Sequence, residues 1–163
     1  MKNEIQAERM RSYFLCAAEE IVKAEGIEAA STRTIAERAG YSYATIYNYF
    51  TDIGELLSHV RSRFVEECRG YVLDTLNSEL SGEEFVYQAA TLYARYFVQY
   101  PAVFALLFCE NIRKNTQGGS ITPAADELFL SLCRDKIDTT SHNFTRYKLA
   151  LQGLLMSSLN KRE

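Results

Sequence analysis

The apolar residues of this chain recur with the period of an α-helix over nearly its whole length. From Met10 to Val22 they are spaced three and four residues apart, which predicts one buried helical face. Gly26 ends this pattern, because glycine takes the left-handed position after a helix at no steric cost. The first helix is therefore predicted over residues 6–25. No segment shows the sustained alternation that is typical of a strand.

Caps, glycines and prolines divide the remaining sequence into seven more helices. Serine, threonine and aspartate accept hydrogen bonds from the first turn of a helix, and proline suits its first position. A loop is predicted over 113–122, where two glycines lie in a polar stretch. The other predicted helices are 32–39, 43–50, 53–76, 82–100, 101–112, 123–137 and 141–160. The expected cap side chains are Ser31, Ser42, Asp52, Ser81 and Thr122, and Ser81 is expected to form a capping box with Glu84.

The composition is that of an ordinary globular protein, and the sequence also restricts the cellular compartment in which the protein is expected. With 163 residues, 47% of them apolar and 24% charged, the chain falls outside the disordered and fibrous classes. Its longest uncharged apolar run, 96–109, is too short to span a bilayer, and an acidic N-terminus is no secretory signal. Cysteines without a CxxC pair indicate buried thiols in a reducing compartment. We therefore expect a cytoplasmic protein with no membrane partner.

The segment 31–50 carries the strongest functional signal. Two short helices joined by a turn at Gly40 have the arrangement of a helix-turn-helix. Only Ile46 and Phe50 of the second helix are needed inside, so its hydroxyl and amide groups are expected to project outward. Such groups suit phosphate oxygens and base edges of DNA, although the net charge of −3 gives no general reason to expect nucleic acid. An ordinary helical corner is the alternative interpretation.

A longer string of residues resembles a known family. The sequence TRTIAERAGYS at 32–42, ATIYNYF at 44–50 and the Glu-Leu-Leu at 55–57 follow its pattern in order. Residues 6–66 thus resemble the N-terminal domain of the tetracycline-repressor (TetR) family of bacterial transcription regulators. This resemblance implies an all-α fold, with a three-helix DNA-binding domain followed by a helical domain for effector binding and dimerisation.

The implied domains are 1–52 and 53–163, with the fourth helix connecting them. The implied function is that of a ligand-responsive regulator, a repressor that binds a palindromic operator as a homodimer and is released by a small effector. No cofactor or metal is implied. A module that kept this fold and lost DNA binding is the alternative. An enzyme is not expected, since the sequence has no P-loop, GxSxG or HExxH motif.

The resemblance also assigns DNA-binding positions. It implies that Arg33 reaches DNA from the second helix, that Tyr43, Ala44 and Thr45 read base edges, and that aromatic hydroxyls meet phosphate. For Tyr47, packing against the first helix is the alternative. The full set of positions is Thr32, Arg33, Ser42, Tyr43, Ala44, Thr45, Tyr47, Asn48 and Tyr49.

Two positions depart from the family pattern. Lysine is frequent there, whereas this chain has Thr51 and Ile53. Phosphate contacts would then be lost, or other basic residues such as Arg9 or Arg11 would replace them.

Eight aromatic residues lie between positions 85 and 108. They are predicted to line an apolar cavity with phenol groups, and the uncharged run 96–109 favours a neutral or hydrophobic effector. A well-filled core is the alternative. The candidate pocket residues are Tyr93, Phe97, Tyr100, Phe104 and Phe108.

The last two helices are the expected dimer contact. In the family the corresponding pair forms a four-helix bundle with its twofold mate, and one short recognition helix reads too few bases alone. The candidate interface residues are Leu128, Phe129, Leu132, Tyr147, Leu151, Leu154 and Leu155.

Overall fold

The structure, a computed structural model, describes residues 2–77, 79–109 and 123–159. All regular secondary structure in these ranges is helical, which confirms the predicted all-α fold. The α-helices are α1 Lys2–Glu25, α2 Thr32–Ala39, α3 Tyr43–Ile46, α4 Ile53–Thr75, α5 Gly82–Gln99, α6 Pro101–Phe104, α7 Pro123–Cys133 and α8 His142–Leu159. The predicted loop at 113–122 lies outside the described residues. Within the described part of the chain, no helix is long and apolar enough to cross a membrane.

The chain divides into two compact units, Met1–Phe64 and Val65–Glu163. The sequence places a boundary after residue 52, twelve residues earlier than this division. The difference arises because the first turns of α4 bury Leu56, Val60 and Phe64 completely and so complete the N-terminal core.

The N-terminal core is built on α1. Phe14, Ala18 and Val22 are fully buried on one side of this helix, as its apolar spacing predicts. Helix α1 packs on α2, and α2 packs on α3, where Ile35 and Ile46 are both fully buried. A short 3₁₀ turn, Ile27–Ala29, joins α1 to α2.

The C-terminal unit has an aromatic core. From α5 it buries residues such as Tyr93 and Phe97, and from α7 and α8 it buries Phe129 and Phe144, whose rings stack with centroids 5.8 Å apart. The predicted helix 101–112 begins at Pro101 but passes after one turn into a π-helical segment, Ala105–Cys109. Three consecutive residues there, Leu106 to Phe108, are buried. In a regular α-helix successive side chains point 100° apart, so three consecutive residues rarely share one buried side. Here the burial of three consecutive residues coincides with the wider turn of the π-helix.

Two of the five predicted caps are confirmed, and a third, Thr122, lies outside the described residues. Ser31 accepts a hydrogen bond from the Thr34 backbone N–H at 3.2 Å, and Asp52 accepts one from the Glu55 N–H at 2.8 Å. The other two predictions are wrong. Ser81 makes no side-chain cap bond, and the Ser42 hydroxyl bonds that of Thr45 at 2.9 Å instead of a backbone N–H.

Candidate nucleic-acid interface

The turn between α2 and α3 depends on Gly40. This residue has φ +81°, in the left-handed region that residues with a Cβ rarely adopt. Its N–H and that of Tyr41 close onto the last carbonyls of α2, including that of Ala36. The chain therefore leaves α2 sharply, and α3 begins three residues after the glycine.

The recognition helix is shorter than predicted. Only Tyr43–Ile46 is α-helical, and the chain then turns so that the N–H groups of Tyr49 and Phe50 both bond the Ile46 carbonyl. A helix this short gains little from propensity. It is held instead by burial of the last residue of α3 and of the last residue of the turn that follows, since Ile46 is 0% and Phe50 is 2% exposed.

The predicted DNA-reading side chains of α3 lie on its outer side. Tyr43 is 63% exposed, Ala44 and Asn48 are exposed, and Thr45 is half-buried. Tyr47 is 53% exposed, which favours the outward orientation over packing against α1.

The tyrosine that packs against α1 is Tyr49. Its ring centroid lies 5.9 Å from that of Phe14, and Tyr41 meets the same ring edge-on at 5.6 Å. Tyr49 is therefore half-buried, and it combines a packing role with its predicted position next to DNA.

The α2 side of the interface contains an ion pair that was not predicted from the sequence. A shallow groove is bordered by Thr32 and Arg33 from α2 and by Ser42 and Tyr43 at the start of α3. Glu37 lies in the same groove, and its carboxylate pairs with the Arg33 guanidinium at 2.9 Å. The spacing of four residues on one helix is the signal that could have indicated this pair.

Other arginines of the N-terminal unit are also paired with carboxylates. Arg38 pairs with Glu25 at 2.6 Å, and Arg63 pairs with Glu19 at 2.7 Å. The positive potential of this surface is therefore low, in agreement with the negative net charge.

A polar cluster surrounds Arg11 next to residues 43–50, which form the recognition segment. The Arg11 Nη1 group donates to the Tyr49 carbonyl, and Nη2 lies 3.1 Å from His59 Nε2 and 3.7 Å from Glu55 Oε1. The guanidinium carbon is 4.4 Å from the centroid of the Phe50 ring. One side chain of α1 thus contacts the end of the recognition segment and the start of α4.

The Glu55 carboxylate closes the same cluster from the other side. Its Oε2 accepts hydrogen bonds from the Thr51 N–H at 2.6 Å and the Thr51 hydroxyl at 2.8 Å. These bonds, with the positive charge of Arg11, hold the pKa of Glu55 below its usual value. Gly54 fits here because a Cβ would lie 3.0 Å from the Asp52 Oδ1 cap atom.

The predicted pocket aromatics lie together in the C-terminal unit and contact each other. Four of them are buried, with ring centroids 4.8 Å apart for Tyr93 and Phe97, 5.5 Å for Phe97 and Phe104, and 4.8 Å for Phe104 and Phe108. Tyr100 is half-buried. This packing favours the filled-core alternative, and an effector pocket among these residues stays a prediction.

The predicted dimer residues fall into two groups. Leu128, Phe129, Leu132 and Leu155 are buried inside the C-terminal unit and have little surface to offer a partner. Tyr147 and Leu154 are 43% and 67% exposed, and Leu151 between them is half-buried. Only this second group is available at the surface of α8.

Two of the cysteines whose side chains are described, Cys68 and Cys133, do not resemble redox sensors. Burial raises the pKa of the Cys68 and Cys133 thiols to about 12, so both stay protonated at neutral pH. Cys16 is half-buried beside Arg63, at 3.6 Å.

A three-helix core, a left-handed glycine turn and a short helix with outward polar groups are together the features of a helix-turn-helix domain, the type of domain that places a short helix in the major groove of DNA. Residues 14–60 match the sequence profile of a family described as bacterial regulatory proteins, tetR family. The N-terminal unit therefore carries a helix-turn-helix domain of the TetR type.

Two solved structures resemble the chain at low identity. A TetR-family protein from Vibrio parahaemolyticus is 17% identical over 93% of this chain and 66% of its own length, with a TM-score of 0.43. The chain thus spans just under two thirds of that protein. A TetR-family transcriptional regulator from Haemophilus influenzae is 16% identical over 94% of this chain and 96% of its own, with a TM-score of 0.46. No curated protein matches the chain significantly.

Proposed function

We propose that this regulator is a ligand-responsive repressor that binds a palindromic operator as a homodimer. The observation that carries the DNA-binding part is the exposure of Tyr43, Ala44 and Thr45 on a helix that is anchored by the buried Ile46. Hydroxyl groups on an exposed first turn are suited to base edges and phosphate oxygens in a major groove. Arg33, at the rim of the same groove, adds one positive charge.

The experiment is a selection from random duplexes with the full chain. We expect enrichment of a palindrome whose half-sites lie about 10 base pairs apart or a multiple of this. The double variant Y43A/T45A should lose affinity for the enriched duplex. Y87A is the matched control, because Tyr87 of the C-terminal unit is 70% exposed, close to the 63% of Tyr43. Unchanged affinity of Y43A/T45A would contradict the assignment of α3, and no enrichment even at low salt would favour the module without DNA function.

An apolar stripe on α8 supports the homodimer. Tyr147, Ala150, Leu151 and Leu154 follow each other at helical spacing on one face, and each is exposed or half-buried. A twofold pairing of two such faces would bury them. We expect L154E to be monomeric in sedimentation equilibrium, whereas L149E, on the opposite face of the same helix, stays dimeric. The reverse result would place the interface on the other face.

The proposed effector is small and neutral or hydrophobic, since the aromatic core of the C-terminal unit has no charged residue between positions 96 and 108. Its binding would favour a conformation of the dimer whose two recognition helices no longer fit the operator. A screen of neutral aromatic compounds for release of the enriched duplex tests this. If only charged compounds release the duplex, the assigned effector class is wrong.

A further inference from the structure

We infer that Arg11 is a positioning residue for DNA recognition, which fixes the end of the recognition segment and does not bind DNA phosphate. This inference rests on the proposed function. It starts from the brevity of α3, which ends at Ile46, while the residues that follow it still belong to the predicted interface. Their placement has to come from contacts outside the helix.

The Arg11 guanidinium supplies such contacts from α1. It donates to the Tyr49 carbonyl through one nitrogen, and its other terminal nitrogen meets His59 Nε2 at 3.1 Å and Glu55 Oε1 at 3.7 Å. Its guanidinium carbon lies over the Phe50 ring, 4.4 Å from the ring centroid. Three elements, α1, the end of the recognition segment and α4, thus meet at one side chain.

The geometry of these contacts requires a guanidinium. Arginine has donors at fixed positions in a plane and can also stack on an aromatic ring, whereas the lysine ammonium is a compact point charge on a flexible stem. Lysine at position 11 would keep the charge but would not reach Tyr49 and His59 together while covering Phe50. The R11K variant therefore separates the shape of the side chain from its charge.

The Glu55 carboxylate completes the attachment. One of its oxygens faces Arg11, and the other accepts both bonds from Thr51. The residues from Tyr49 to Thr51 are thus held by Arg11 on one side and by Glu55 on the other. Because Tyr49 and Asn48 are predicted to touch DNA, loss of either partner would loosen that part of the interface.

The same observations argue against a phosphate contact by Arg11. Its side chain is only 28% exposed, and its charge is partly balanced by a carboxylate 3.7 Å away. Arg9, on the same helix and exposed, provides a comparison with equal charge. A phosphate contact would contribute to counterion release, and its removal would flatten the salt dependence of binding.

The test measures the affinity of R11K, R11A and R9A for two duplexes over a range of salt. The probes are the palindrome enriched by the wild-type chain and a scrambled duplex of the same composition. We expect R11K and R11A to lose about tenfold or more for the palindrome, the loss expected when hydrogen bonds to a charged group are removed. Affinity for the scrambled duplex and the slope of log K against log salt should stay as in the wild type.

Amide hydrogen exchange in the absence of DNA gives a second readout. We expect faster exchange at Tyr49 and Phe50 in R11K than in the wild type or in R9A, with α1 and α2 unchanged. Full affinity of R11K would overturn the inference. So would an equal loss for both duplexes with the slope reduced by about 0.9 per charge, which would identify a phosphate contact.

Two further outcomes keep this inference separate from the proposed function. If the wild type enriches no duplex, the proposed function fails, while the exchange experiment still tests the positioning. If R11K loses its helical circular dichroism together with both affinities, Arg11 acts in folding alone and the inference fails.

Discussion

The two units of this chain use tyrosine in opposite ways. In the N-terminal unit Tyr43 and Tyr47 are more than half exposed on a short helix, whereas in the C-terminal unit Tyr93 and Tyr96 are 1% and 2% exposed inside an aromatic core. Burial and the nearby charge of Glu67 raise the pKa of Tyr96. Exposed phenol groups add nothing to the core and are available for recognition, while the buried ones contribute to stability. Aromatic content alone therefore does not distinguish a binding surface from a filled interior.

The largest expected effect comes from truncating a central ring of the aromatic core. F97A should lower the free energy of unfolding by about 3–5 kcal/mol, because Phe97 is fully buried and contacts four other rings. Y43A, on the exposed helix, should change it by less than about 0.5 kcal/mol. Urea unfolding of both variants measures the difference. A loss below about 1 kcal/mol for F97A would instead indicate an open cavity at this position.

A smaller effect is expected at the turn that presents the recognition helix. G40A should cost about 1–2 kcal/mol, because alanine is strained at φ +81°. G70A is the control, since Gly70 lies inside α4 with open space around it, and alanine there should stabilise by up to about 1 kcal/mol. Thermal unfolding of the two variants checks both signs. Equal stability of G40A and the wild type would mean that the turn can relax.

Lowering the pH should destabilise the N-terminal unit through the cluster around Glu55. The pKa of Glu55 is lowered in the folded state, so its ionised form adds stability that is complete above the usual value of 4.5 and is lost as the pH falls through the lowered pKa. E55Q should therefore show a weaker loss of stability in acid than the wild type. Urea unfolding at neutral and acidic pH measures this. An unchanged pH dependence in E55Q would exclude a contribution from this carboxylate.

The smallest effect on stability is expected for the Arg33–Glu37 pair. Both side chains are largely exposed, so E37Q should change the free energy of unfolding by less than about 0.5 kcal/mol. Its effect on DNA should be larger, because a negative charge is removed beside Arg33. We expect roughly fivefold tighter binding of the enriched duplex, equivalent to about 1 kcal/mol. E84Q, with the same charge change in the C-terminal unit, is the control. Weaker binding by E37Q would instead indicate a base contact by Glu37.

Sequence patterns predicted the fold well wherever contacts are local. The helical spacing from Met10 to Val22 predicted the buried face of α1. The residue types at positions 31 and 52 predicted two helix caps, and Ser31 and Asp52 do cap helices in the structure. The length of α3 was wrong, because Ile46 and Phe50 do face inward but the chain between them follows a turn and not a full helix.

The polar cluster behind the interface could not be predicted in the same way. Arg11 is 38 residues from Tyr49 and 48 from His59 along the chain, so no local spacing indicates that they meet. The sequence suggested Arg11 as a substitute phosphate ligand, whereas in the structure its side chain contacts other groups of the protein. Likewise, the apolar positions 128, 129, 132 and 155 fit either a core or a partner, and only the tertiary packing shows that they are covered within the unit.

The outward orientation of α3 has a consequence for the evolution of binding preference. Tyr43, Ala44 and Asn48 face solvent, and folding of the domain depends on Ile46, Phe50 and Gly40 instead. Substitutions at the outer positions can therefore accumulate without unfolding the scaffold. Duplicated copies of such a gene are free to diverge toward new target sequences, and a protein engineer can randomise the same few positions to redirect the domain.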